Sequence, residues 1–179
     1  MNDGRERKRI LLFRGSVLDV QADAIVNSAN RSLLAGGGVC GAIHKAAGKE
    51  LLDECKTLGG CKTGHCQITR AYNIKQADYI IHAVVPRWTD QDAPQLLWNC
   101  YYETLQLAAQ YHCHRIAFPC ISTGTHGMAL DLAANLALNA ISKWFSENEE
   151  NPMTIYLCCY REAEYENYRE ILYPVKIAP

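Results

Sequence analysis

Apolar positions recur along the chain with two different periods, and the changes from one to the other mark out its elements. Ile10 to Phe13 is a short apolar run that predicts a first strand, ending in Arg14, Gly15 and Ser16; Ala24 to Val26 predicts a second. Beyond a run of glycines, Val39, Ile43, Ala46, Ala47, Leu51 and Cys55 fall at helical spacing, so a helix is expected to about Leu58, where Gly59 and Gly60 stop it. Cys61 to Gly64 reads as a turn and Cys66 to Tyr72 alternates like a strand. Asp78 to Val85 is a densely apolar, β-branched strand halted by Pro86. Pro94 opens a helix with Leu97, Cys100, Tyr101, Leu105 and Ala108 on one face, and Arg115 to Pro119 returns as a buried strand. A helix through Ala133, Ala137, Ile141 and Trp144, a strand from Thr154 to Cys159 and a helix from Glu162 to Leu172 complete the alternation of a layered α/β fold.

At 179 residues the chain suits one well-cored domain, expected over residues 10–179 behind a polar tail at 1–9, whose Arg5, Arg7, Lys8 and Arg9 read as a solvated lead-in. The composition is 49% hydrophobic and 21% charged, without an apolar run of membrane-spanning length, so no membrane partner is expected. MNDGRERKR lacks the apolar core of a signal peptide, which makes the cytoplasm the expected location. A net charge of −1 gives no drive toward nucleic acid. Nine cysteines in such a chain are expected as reduced thiols, Cys100, Cys113, Cys158 and Cys159 among them as small apolar residues.

The chemistry concentrates in Asp23 to Gly48, DAIVNSANRSLLAGGGVCGAIHKAAG. Here Gly36, Gly37 and Gly38 lie between a strand and the start of a helix. Glycine lets backbone approach a ligand closely, and the unpaired N–H groups of a helix N-terminus attract anions. Neither standard nucleotide signature is matched well. Asn27 and Asn30, which precede the glycines, offer amides suited to ribose hydroxyls, with turn capping as the plainer role for either. A second small-residue loop, Ile121 to Gly127 (ISTGTHG), again joins a strand to a helix. Two such loops on the rim at the C-terminal ends of the strands point to a diphosphate with at least one ribose, an ADP-ribose-like molecule.

These residues resemble the macrodomain family, specifically its MacroD-type branch and the bacterial O-acetyl-ADP-ribose deacetylases. The matching pieces are DAIVNSAN, GGGVCGAIHKAAG, CKTGHCQIT, YIIHAVVPRW and FPCISTG, collinear from about Ile10 to Leu172. The resemblance implies a three-layer α/β/α sandwich around a mixed central sheet, with ADP-ribose or O-acetyl-ADP-ribose bound in a crevice and no metal or other cofactor. By position, Gly36, Gly37, Gly38 and Val39, with Ser122, Thr123 and Gly124, would embrace the diphosphate. Thr125 and Gly127 complete that loop, and Ser16, Val17 and Asn27 extend the binding set. Asn30 would hold the distal ribose.

Four departures from the family stand out. Ser16 stands where an adenine-binding Asp is common, leaving backbone groups such as those of Val17 to help select the base. Ala35 replaces a fourth glycine. Cys40 occupies the place of an Asp that orients or activates water, and a neutral thiol is no such base. Thr125 and His126 replace an aliphatic residue followed by an aromatic one that packs over the ribose.

The expected function is therefore hydrolysis of ADP-ribose esters, O-acetyl-ADP-ribose or ADP-ribose on acidic protein side chains, with Asn30, Cys40 and His126 as candidate catalytic residues. The alternative is a reader that binds ADP-ribose or mono-ADP-ribosylated proteins without turnover. Cys40 and His126 also raise a third reading, an activated thiol nucleophile. A metal at Cys40, His44 and His126 lacks a close-spaced ligand pair, and His44 is expected to be structural.

Overall fold

The computed structural model describes residues 7–174. Of the expected polar tail, residues 1–6 lie outside that range, as do 175–179 at the other end. Arg9 is not a solvated residue: its Nε donates to the Met153 carbonyl at 3.1 Å, and its guanidinium lies 4.0 Å from the centre of the Phe145 ring. Docking of the tail's last residue onto neighbouring chain is what local charge could not reveal.

Six strands form one sheet in the order β1-β6-β5-β2-β4-β3, with β1 Ile10–Arg14, β2 Ala24–Ala29, β3 Cys66–Arg70, β4 Tyr79–Val84, β5 Arg115–Pro119 and β6 Thr154–Cys159. All pairings are parallel except that of β3, which runs antiparallel to β4 at one edge. The helices are α1 Gly38–Ala47, α2 Lys49–Thr57, α3 Ala93–Gln110, α4 Leu130–Glu147 and α5 Glu162–Leu172. Strand residues alternate between two cores. Val26, Ile81, Phe118 and Leu157 meet α3, α4 and α5 on one face; Ile25, Ile80 and Ala117 meet α1 and α2 on the other. This is the layered α/β fold that the sequence pattern predicts, in the three-layer α/β/α form around a mixed sheet that the family resemblance implies. Among the described residues no helix is long and apolar enough to cross a membrane.

The strands expected over Cys66 to Tyr72 and Asp78 to Val85 are a residue or two shorter, and two further differences bear on the site. The helix expected to reach Leu58 breaks at Gly48, whose φ is +92°, where an added Cβ would stand 2.5 Å from the Asn73 amide nitrogen. The Asn73 backbone N–H also donates to the Ala47 carbonyl at 3.2 Å, so the glycine stop and an approaching loop together end α1. Strand β2 runs on past Val26 to Ala29, which places Asn27 inside the sheet.

Candidate active site

A crevice of about 640 Å³ opens over the C-terminal ends of β1, β2, β5 and β6. One wall is the N-terminus of α1. Gly37 is its N-cap with extended backbone, and no side chain caps the helix. The first amides of a helix have no acceptor within it, so those of Gly38, Val39 and Cys40, all lining the crevice, are free to meet an anion. Positive φ is needed at Gly38 (+57°) and not at Gly37, while at both positions an added Cβ would meet nothing within 4 Å.

The opposite wall is the loop after β5. Ser122 sits at φ +66°, and its hydroxyl donates to the Pro86 carbonyl at 3.0 Å, which holds this strained residue. The Thr123 hydroxyl lies 3.1 Å from both the Cys120 carbonyl and Glu164 Oε1. Arg161 completes the brace, donating to Glu164 Oε1 at 2.7 Å and to the Thr123 carbonyl at 3.2 Å. The side chains of Ser122 and Thr123 are thus employed in holding the loop. Arg161 and the buried Glu164 escaped sequence reasoning, since arginine is not an N-cap residue type even though its backbone N–H donates to Glu164 Oε2 at 2.9 Å. Tyr160, which follows the β6 strand, lines the crevice and is 80% exposed, was missed too.

At one end of the crevice Ser16 is a cap. Its Oγ accepts from Leu18 N–H at 3.2 Å, and its own N–H donates to Asp19 Oδ2 at 3.0 Å. At the other end stand Asn30, Cys40 and His126, which the fold does gather around one crevice. The Asn30 Nδ2 donates to the Leu34 carbonyl at 2.7 Å, and its Oδ1 accepts from the Ser32 hydroxyl at 2.7 Å, so the amide is held in a defined orientation. Leu33, fully buried beneath, anchors that loop at φ +59°. The Cys40 sulfur lies 3.7 Å from the Leu34 carbonyl and 3.7 Å from the Asn27 Nδ2. Among the described residues no hydrogen bond joins Cys40 to His126, so the activated-nucleophile reading has no geometry behind it. His126, half-buried, is shifted below the usual imidazole range by burial and then by the Arg87 charge, with Asp90 opposing.

Two expected ligand contacts are corrected. Asn27 is fully buried, pointing with Ile25 toward α1; its Nδ2 donates to His82 Nδ1 at 3.0 Å, so it supports the crevice from below and cannot touch a ribose. Gly127 closes the loop through its N–H on the Gly124 carbonyl at 3.0 Å and does not line the crevice.

Beneath the site, His44, Cys55 and His82 bring possible metal-ligand atoms within 4.8 Å of one another, as no other group of described residues does. His82, however, has both ring nitrogens occupied, accepting from Asn27 at Nδ1 and donating through Nε2 to Thr69 Oγ1 at 2.9 Å. Burial holds it neutral, with its pKa lowered to about 3, and pushes the Cys55 thiol up to about 11. The cluster fits a packed polar core better than an ion. The trio Cys40, His44 and His126 is not brought together as a ligand set.

Residues 26–137 match the Macro domain family model. A Macro domain-containing protein of Methanosarcina mazei is 45% identical over 166 residues, covering 92% of this chain and 88% of that protein. The human ADP-ribose glycohydrolase MACROD2 is 42% identical over 91% of this chain, which spans only 39% of the length of that relative. A Trypanosoma brucei macrodomain solved in complex with ADP-ribose superimposes with a TM-score of 0.85 at 41% identity, covering 92% of this chain and 69% of that one.

Proposed function

The chain belongs to the macro domain family, and from that premise we propose that its crevice binds ADP-ribose and hydrolyses ADP-ribose esters, O-acetyl-ADP-ribose or ADP-ribosylated carboxylate side chains. The observation that carries this is the pairing of two backbone anion-binding walls, the α1 N-terminus and the Ser122–Gly124 loop, across one crevice with Asn30 at its end. A diphosphate lies between the walls, the base takes the end with Ser16, and the distal ribose reaches Asn30.

In the reaction, water adds to the ester carbonyl, the acyl–oxygen bond breaks, and the products are a carboxylic acid and ADP-ribose. Asn30 aligns the ribose that carries the ester, and the crevice walls supply fixed dipoles. His126, neutral at pH 7, is the proton acceptor within this set, whereas the Cys40 thiol is spent as a weak donor to Leu34. A second reading, binding without turnover, is favoured by one observation: position 40 carries a thiol and no carboxylate.

Hydrolysis of O-acetyl-ADP-ribose followed by chromatography decides between them. Acetate release by the native chain, lowered in Gly37→Val, supports the hydrolase. Tight ADP-ribose binding without release selects the reader.

A further inference from the structure

The rim continues beyond Asn30 and His126. Together with Ala29, these residues also line a second cleft of about 320 Å³ over the ends of β2 and β4, completed by Arg31, Thr63, Val84, Val85, Arg87 and Asp90. Asn30 and His126 thus stand between two adjoining spaces, at the point where the main crevice is expected to hold the reacting end of its ligand.

Charge in this cleft is uneven. Arg31 and Arg87 bring two guanidiniums against the one carboxylate of Asp90, and that carboxylate accepts from the Arg87 backbone N–H at 3.0 Å. Arg31 Nε is fixed by Thr63 Oγ1 at 2.8 Å. Neither arginine forms an ion pair among the described residues. Trp88 follows Arg87 in the chain, is 50% exposed, and is tied to the cleft wall by its N–H on the His126 carbonyl at 2.8 Å.

An acetyl group fills little of such a volume, whereas a polypeptide whose carboxylate carries the ADP-ribose would pass directly through it. Guanidinium groups recognise carboxylates by paired N–H donors, and an exposed indole is a favourable anchor for a polypeptide. We infer that this second cleft is the acceptor subsite of the main crevice, and that it selects acidic polypeptide segments whose neighbouring carboxylates pair with Arg31 and Arg87. The inference rests on the ADP-ribose reading of the main crevice and names its substrate class.

Two synthetic peptides carrying ADP-ribose through a non-hydrolysable linkage, one flanked by glutamates and one by lysines, test it in calorimetric titrations beside free ADP-ribose. The glutamate peptide is expected to bind about fivefold tighter or more, with the margin shrinking as salt rises. Arg31→Glu and Arg87→Glu, both at exposed positions, should each erase or invert that preference while free ADP-ribose keeps its affinity within about twofold. Equal affinity of the native chain for both peptides overturns the subsite, as does a charge reversal that weakens free ADP-ribose as much as the peptides. A native chain that binds none of the three ligands fails at the main crevice and takes the subsite with it.

Discussion

Asn30 and Cys40 share one acceptor: the Leu34 carbonyl takes the Asn30 Nδ2 at 2.7 Å and the Cys40 thiol at 3.7 Å. The amide proposed to align the ribose and the residue at position 40 are therefore coupled through a single peptide group. A carboxylate at position 40 could not donate to that carbonyl. It would turn toward the Asn27 Nδ2 or the crevice, where it could accept a proton from water.

Cys40→Asp is accordingly expected to raise O-acetyl-ADP-ribose hydrolysis by about tenfold or more, within the usual span for general-base catalysis, and Cys40→Ser to change it by less than about threefold. Steady-state kinetics checks this. Inactive Cys40→Asp together with fast alkylation of Cys40 that ADP-ribose protects against would instead establish a nucleophilic thiol.

Asn30→Ala should lower kcat more than it weakens ADP-ribose binding, because the amide's work is alignment of the reacting ribose. Thermal unfolding should move little, since the bonds lost are at an exposed site, worth about 1 kcal/mol. Equal losses in turnover and affinity would reduce Asn30 to a plain ribose contact.

The two loop glycines should separate binding from stability. Gly37 has extended backbone and open space where a Cβ would go, so Gly37→Val is expected to fold normally while its side chain crowds the diphosphate position, weakening ADP-ribose binding and lowering turnover. Gly38 holds a left-handed φ of +57°, so Gly38→Val should also lose stability, on the order of 1–2 kcal/mol. Melting curves with and without ligand distinguish the two; an unstable Gly37→Val would contradict the geometry.

Much of this arrangement was legible from residue order. Apolar periodicity placed the six strands and the helices, with α1 and α2 read as one, and the two glycine loops placed the crevice, because strand, glycine and helix in succession leave little choice of rim. Asn27 was misread for a physical reason. A polar residue after an apolar run looks like the start of a loop, and only its strand partner His82 across the sheet shows that it is buried. Arg161 and Glu164 act across 38 and 41 residues, through Thr123, a separation that local pattern does not carry. The second cleft arises from Arg31 and Arg87 meeting over β2 and β4.

His82 makes stability depend on pH with a definite sign. Its folded pKa of about 3 lies below the 6.5 of an unfolded histidine, so the unfolded chain binds the extra proton between those values. This contribution is complete above about pH 6.5 and is lost as pH falls, at about 1.4 kcal/mol per unit. His44, also lowered by burial, adds in the same direction. His82→Leu should be less stable at pH 7, because Asn27 and Thr69 lose their bonds to the imidazole, yet show a flatter decline toward pH 4. Parallel native and variant curves from denaturant titrations would mean that His82 is not held neutral.

Calorimetric titration of the native chain with ADP-ribose tests the central claim most directly. One saturable site per chain is expected, with AMP binding more weakly for want of the distal ribose. At a hundredfold excess of ligand over Kd, the fold should gain about 2.7 kcal/mol, seen as a rise in Tm. No binding heat and no thermal shift at millimolar ADP-ribose would contradict the assignment of the crevice.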